Sequence, residues 1–265
     1  SLAIKKYGIA RNKQRYQCLV CFRQFTIKKD KRHLRKKLWQ EYIWGKQTLS
    51  QLGKKYGHNL KWARRQIDAY IPDKKKIAVG KIVAVADATF FGRGYGVLVV
   101  RCPHQKRNIY FHELTTERPD DYLRARLFLE QKGFIIEAVV VDGKRGLFNV
   151  FGDIPIQMCH FHQMAIMRRY LTSRPQLEAG KELRAIAFTL TISNEKSFTD
   201  LLTVWHEKWK DFLKEKTYSL DNKHWQYTHK RIRSAYRSLK TNLPHLFTYQ
   251  KYPHLKIPNT TNSLD

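Results

Sequence analysis

Two stretches decide how this chain reads: Ile82-Val83-Ala84-Val85-Ala86-Asp87 and, further on, Ile135-Ile136-Glu137-Ala138-Val139-Val140-Val141-Asp142. Each is a run of β-branched and small apolar residues closed by an aspartate, and the second is apolar almost throughout, as a strand covered on both faces of a parallel sheet must be. Between them, Gly92, Gly94 and Gly96 mark a turn into the strand Val97-Leu98-Val99-Val100, and Tyr110-Phe111-His112-Glu113-Leu114 supplies a third strand. A helix follows. Pro119 suits its first position, Asp120 and Asp121 favour its first turn, Leu123, Leu127 and Phe128 form its expected apolar face, and Gly133 closes it.

Three meandering strands, a crossover helix and a parallel strand predict an α/β fold with a ribonuclease-H-like core over 77–175. Ile154 to Met158 reads as a fifth strand and the chain turns helical from Cys159. Residues 176–257 read as an all-helical insertion containing Trp205, Trp209 and Trp225, and 258–265 reads as the start of a final core helix.

Upstream, residues 1–33 alternate apolar and basic positions around Cys18-Leu19-Val20-Cys21, which predicts a zinc-ribbon-like hairpin with the cysteines at its knuckle. Residues 34–76 predict a helix-turn-helix and linker. Leu38, Tyr42 and Ile43 share the face of a first helix ending at Gly45; Thr48 and Gln51 form a capping box for a second, with Leu49, Leu52 and Tyr56 inward and Gly57 past its end; Leu60 to Ile67 is a third, stopped by Pro72.

Charge indicates the partner. The 265 residues carry 51 Lys+Arg against 22 Asp+Glu, a formal net charge of +29. Residues 1–80 hold 22 of those cations and 4 of the acids, so the amino-terminal third is the more basic part. Self-repulsion of this size is relieved by a polyanion, and nucleic acid is the simplest one. With 42% hydrophobic and 13% aromatic residues the chain has the material for a core, which excludes a disordered basic tail. No apolar run approaches the roughly 18 residues of a membrane span, and four cysteines in this length do not make a disulfide framework. The expectation is a soluble, cytoplasmic protein that binds DNA and no membrane.

Asp87 and Asp142 are the sharpest chemical signal. Carboxylates at the ends of neighbouring strands converge, and convergent carboxylates hold Mg²⁺ or Mn²⁺ for phosphodiester cleavage. Asp265 is the best candidate for a third acid, although Asn262 followed by an acid is also a helix-capping pattern; Glu178, Glu182 and Glu207 are alternatives. Cys18 and Cys21 are half of a Zn²⁺ site, which needs about four ligands, and a first pair is expected before Ser1. Cys159 and His162 fit either a buried helix start or a metal or substrate role. Lys61, Arg64 and Arg65 on the third helix are the expected DNA contacts, with Lys61 and Arg65 on one face.

In this order, Tyr16 to Phe25, the helix-turn-helix, Ala86-Asp87-Ala88-Thr89, Val141-Asp142-Gly143, Cys159-x-x-His162 and Thr260-Thr261-Asn262-Ser263-Leu264-Asp265 resemble bacterial insertion-sequence transposases of the DDE type, in the Mutator-like group with a zinc-binding variant. The resemblance implies that Asp87, Asp142 and Asp265 bind two divalent ions and that the amino-terminal parts recognise terminal inverted repeats. It also implies cleavage at element ends, then attack of the freed 3′-hydroxyl on target DNA by a homo-oligomer on the nucleoid. The third acid in that family is usually glutamate and a helix follows it, so this sequence reads as a fragment with impaired cleavage. A non-catalytic DNA-binding regulator is the alternative, and a ribonuclease-H-like nuclease without strand transfer a third reading.

Overall fold

The structure, a computed structural model, describes residues 3–10, 13–26, 31–72, 77–219 and 224–261. The chain divides into two compact units, 1–76 and 77–265.

In the first unit β1 (Ile4–Ala10), β2 (Lys13–Cys18) and β3 (Gln24–Thr26) form an antiparallel meander with β2 central. The expected hairpin is therefore three strands, because Ile4 to Lys6 pair back onto Tyr16 to Cys18 on the edge that β3 leaves open. Tyr16 stacks on Phe25 across β2 and β3, with ring centroids 6.1 Å apart.

Three helices follow: α1 (Arg32–Ile43), α2 (Leu49–Lys55) and α3 (Leu60–Asp68), around Leu38, Leu52, Ala63 and Ile67. Tyr42 and Ile43 were expected inside and are 39% and 43% exposed. Leu34 and Trp39 pack beside Leu38 instead and already close this small core. At the start of α2 the capping box is complete, the Gln51 amide donating to Thr48 Oγ1 at 3.2 Å and the Thr48 amide to Gln51 Oε1 at 2.8 Å. Such a cap is worth about 1 kcal/mol. Gly53 makes the tight turn possible: a Cβ there would lie 2.8 Å from the His58 carbonyl oxygen, where the chain folds over towards α3.

The second unit opens with β4 (Lys81–Phe90), β5 (Gly96–Cys102), β6 (Arg107–Leu114), α4 (Pro119–Gln131), β7 (Ile135–Val141), the short α5 (Leu147–Val150) and β8 (Ile156–Met158). The five strands make one mixed sheet in the order β6-β5-β4-β7-β8, antiparallel across β6, β5 and β4 and parallel across β4, β7 and β8. β4 does not end at Asp87 but continues to Phe90, because β5 still pairs with it beyond the end of β7. The two-residue period of a strand sorts the side chains: Ile82, Ala84 and Ala86 face one core with Val139, Val141 and α4, while Val83, Val85, Ala138 and Val140 face another with Cys159 and Ile257.

On α4 the inward stripe is Tyr122, Ala125 and Leu129, and the expected Leu123, Leu127 and Phe128 are 40%, 48% and 40% exposed. Both sets obey helical spacing. Ala125 permits close approach to the sheet and the Tyr122 hydroxyl has a partner in Glu117 at 2.7 Å, so the inner stripe is the one whose polar atom is satisfied.

The remainder is α6 (His160–Leu171), α7 (Glu178–Phe188), α8 (Glu195–Trp209), a two-stranded hairpin of β9 (Lys216–Tyr218) and β10 (Trp225–Tyr227), α9 (Lys230–Leu246) and α10 (Thr248–Lys251). The segment is thus not wholly helical: Trp225 lies on β10, opposite Tyr218. The β-propensity of Trp225, Tyr227 and Tyr218 explains the local choice. Buried polar contacts tie these helices to the sheet. Gln157 beside β7 donates to the Leu246 carbonyl at 2.9 Å and accepts from the Tyr249 amide at 2.9 Å, and His160 Nε2 donates to the same Leu246 carbonyl at 2.7 Å. Among the described residues, no helix is long and apolar enough to cross a membrane.

Candidate active site

Asp87 and Asp142 come from adjacent parallel strands. After Ile82 the register pairs Val83 with Ala138 and Val85 with Val140; two residues further along come the aspartates, Asp87 within β4 and Asp142 directly after the last residue of β7. Strand alternation aims both at the face that Cys159 and Ile257 cover. The turn after Asp142 needs its glycine: Gly143 has φ +76°, and a Cβ would lie 2.6 Å from the Met158 side chain.

Both carboxyls are held by a backbone amide, Asp87 Oδ1 by Ala88 at 2.9 Å and Asp142 Oδ1 by Lys144 at 2.9 Å. Burial nevertheless raises both above the ordinary carboxylate range. His162 opposes the rise at Asp87, and the Asp142 charge adds to it. At Asp142 the Lys144 amide opposes it and Glu117 adds to it.

Glu117 is a residue the sequence reading missed. It sits just before the start of α4, accepts from the Tyr122 hydroxyl at 2.7 Å and pairs with Lys144 Nζ at 2.8 Å, only 15% of its side chain exposed. Lys144 thereby holds a third carboxylate beside Asp142. An acid ahead of Pro119 was the available signal, but it has the look of an ordinary helix-start charge.

The α6 end supplies the rest. His162 Nε2 lies 3.9 Å from Asp87 Oδ2. The Thr261 amide donates to Cys159 Sγ at 3.3 Å, the Thr261 hydroxyl lies 3.5 Å from the same sulfur, and the His160 amide donates to the Asn259 carbonyl at 2.8 Å. The chain ahead of Asp265 is thus pinned beside Asp87; Asp265 and Asn262 themselves lie outside the described residues. Burial pushes the Cys159 thiol up, but His162 and Thr261 outweigh it and hold it below its ordinary value. His162 is raised, first by Cys159 and then by the Asp87 and Asp142 charges, against burial. Its Nδ1 is buried without a partner of hydrogen-bonding geometry, so the effect of the sulfur is proximity rather than a formed bond.

Three alternatives for the third acid are engaged elsewhere. Glu178 pairs with Lys181 at 2.6 Å, Glu182 with Lys208 at 2.6 Å and Glu207 with Lys210 at 2.8 Å, all on the helices beyond α6.

Asp87 and Asp142 suit a hard divalent cation: two oxygen donors, raised by burial, on rigid strands that a double positive charge would relieve. Cys18 and Cys21 are free, and the Cys18 thiol is lowered by the Cys21 and Val20 amides and by the Cys21 side chain, as a knuckle that favours thiolate requires. Phe22, with φ +57°, closes that turn. Among the described residues no three His, Cys, Asp or Glu side chains are grouped as a metal cluster. Lys61, Arg64 and Arg65 are exposed on α3 and form no ion pair with a described residue, while Ala63 and Ile67 face the core.

No protein-family model matches this chain, and a search of curated proteins returns no significant match.

Proposed function

We propose that this chain is a DNA transposase of the DDE type with a ribonuclease-H-like core. The observation that carries the reading is the placement of Asp87 and Asp142, level on one face of a sheet ordered β6-β5-β4-β7-β8. Three antiparallel strands leading through a helix into two parallel ones is the strand arrangement such a core has.

In this reading Asp87 and Asp142, with Asp265 as the third acid, hold Mg²⁺ or Mn²⁺. When bound, such ions activate the attacking water or 3′-hydroxyl and stabilise the leaving oxygen. The protein's own share is positioning. Ala88 and Lys144 amides fix one oxygen of each aspartate, leaving the other for a ligand. Lys144 and Tyr122 hold Glu117 so that it shapes the field at Asp142 without turning into the site. Cys159 and Thr261 keep the chain leading to Asp265 against the strands. Lys61, Arg64 and Arg65 dock DNA through α3, the knuckle of Cys18 and Cys21 takes Zn²⁺ with further ligands, and the protein acts as a homo-oligomer on DNA in the bacterial cytoplasm.

Incubation of the protein with labelled linear DNA carrying candidate element ends, with and without Mg²⁺, tests the reading. Metal-dependent nicking that Asp87→Asn and Asp142→Asn each abolish, with duplex binding retained, is the expected result. Equal nicking by either variant removes the catalytic assignment. Duplex binding without any cleavage would favour the DNA-binding regulator.

A further inference from the structure

A cleft in the second unit lies far along the sequence from the aspartates, between the end of α8, the β9–β10 hairpin and α9. It measures about 600 Å³ and is lined by Lys210, Lys214, Lys230, Arg233, Arg237 and Lys240, with no acid in its wall. Lys210 and Lys214 are each matched by an acid three residues before them, Glu207 and Asp211. The four cations that α9 contributes to this wall, Lys230, Arg233, Arg237 and Lys240, have no carboxylate partner among the described residues.

Their spacing is unusual for a helix that is merely solvated. At 3.6 residues per turn, positions 230, 233, 237 and 240 fall within an arc of about 80° and span about 15 Å of the axis. Successive members are i,i+3 or i,i+4 neighbours, the like-charge spacing that weakens a helix. Nothing on α9 relieves it, since Lys230 to Leu246 contains no Asp or Glu. The opposite face holds Ile232, Ala235, Leu239 and Leu246 in the core, so the cationic row is fixed and cannot turn away.

The aromatic rings beside the cleft are already occupied. Tyr227 lies under the Arg233 guanidinium at 3.5 Å, and Tyr236 stacks on His206 with centroids 4.6 Å apart. A site for single strands offers free rings to bases; this one offers charge alone. A membrane-binding helix needs an exposed apolar face, and the apolar face of α9 is buried.

We infer that the Lys230, Arg233, Arg237 and Lys240 row is a second DNA-binding site, which takes the phosphodiester backbone of duplex DNA. A row of about 15 Å matches roughly four base pairs along the duplex axis. The inference rests on the DNA reading above for the identity of the polyanion, not on Asp87 or Asp142.

The test is a fluorescence-anisotropy titration of the full chain with a labelled 20-base-pair duplex over a range of salt. The combined variant Lys230→Ala, Arg237→Ala and Lys240→Ala is compared with wild type and with the α3 variant Lys61→Ala, Arg64→Ala and Arg65→Ala. Loss of three phosphate contacts should flatten the log–log salt slope by about 2 to 3, with a melting temperature equal to or above wild type because like charges are removed. Should the combined variant not melt cooperatively, Arg237→Gln alone should flatten the slope by about 1. A slope that falls only in the α3 variant overturns the second site and leaves the DNA reading standing. Wild-type protein that ignores the duplex at low salt overturns both. Binding to phosphatidylserine vesicles that the α9 variant loses, with duplex binding unchanged, overturns it in favour of a lipid surface.

Discussion

Asp87 and Asp142 stand level because the pairing of β4 with β7 slips by one residue at Glu137: Ile82 faces Ile136, but Val83 faces Ala138. Without that bulge Asp87 would lie beside Val141, whose side chain belongs to the other face. A bulge of this kind re-aims a side chain at a site. Glu137 also pairs with Lys81 at 2.9 Å.

Two perturbations of Glu137 should therefore both be tolerated. Glu137→Ala loses only an ion pair with an exposed lysine, and its stability should fall by less than about 1 kcal/mol. Deletion of Glu137 takes out the bulged residue itself and leaves Ile82 opposite Ile136 and Val83 opposite Ala138, so each side chain keeps its face and chemical denaturation should still show a cooperative fold. A deletion variant with no folded state would mean that β7 needs the bulge itself and not only this register.

Metal binding should register in stability. Asp87→Asn removes one of two neighbouring half-buried charges, so the metal-free variant should melt a few degrees above wild type, about 2–4 °C per kcal/mol. Excess Mn²⁺ should raise the wild-type melting temperature and leave Asp87→Asn and Asp142→Asn unmoved, since only ligands to the folded state stabilise it. An equal Mn²⁺ shift in all three proteins would place the ion elsewhere.

Cys159 and Thr261 make a mechanical prediction. Cys159→Ala removes the acceptor of the Thr261 amide, and amide exchange over residues 257–261 should quicken about tenfold while that in β4 and β7 stays slow. Cys159→Ser, which keeps an acceptor, should restore most of the protection. Unchanged exchange in the alanine variant would show that Ile257 packing alone holds the segment.

One buried and one half-buried histidine, His160 and His245, set an acid limit. Burial lowers both His160 and His245 below the ordinary histidine value, and His160 Nδ1 has no partner to share a proton with. The unfolded chain takes up protons below about pH 6.5 that the folded protein refuses. Stability is therefore full above that pH and falls as pH drops below it. Melting curves between pH 7.5 and 5 should show a shallower fall in His160→Gln than in wild type; Asp87 and Asp142 titrate in both proteins and cancel in the comparison. Parallel curves would remove His160 from the account.

The α3 cations carry the amino-terminal docking. Replacing Lys61, Arg64 and Arg65 with Ala should flatten the salt dependence of duplex binding by about 2 to 3 in log–log slope, with little change in melting temperature because all three are exposed. An unchanged slope would make α3 a solvated basic helix.

Local chemistry by itself determined much of this protein. The capping box at Thr48 and Gln51, Pro119 at a helix start and the apolar runs before Asp87 and Asp142 depend on neighbours within a few residues, and those interactions are written in the chain order. Tertiary structure decided whatever required comparing distant segments. Leu123 and Tyr122 both head legitimate helical stripes, and the sheet together with Glu117 selected Tyr122. Trp225 reads equally as helix or strand, and pairing with Tyr218 selected strand. Glu117 reached Asp142 only through Lys144 and Tyr122, and the cation row of α9 became the wall of a cleft only when α8 and the β9–β10 hairpin packed beside it. The level placement of Asp87 and Asp142 belongs with these: the spacing of two strands in sequence leaves their register free, and a single bulged residue sets it.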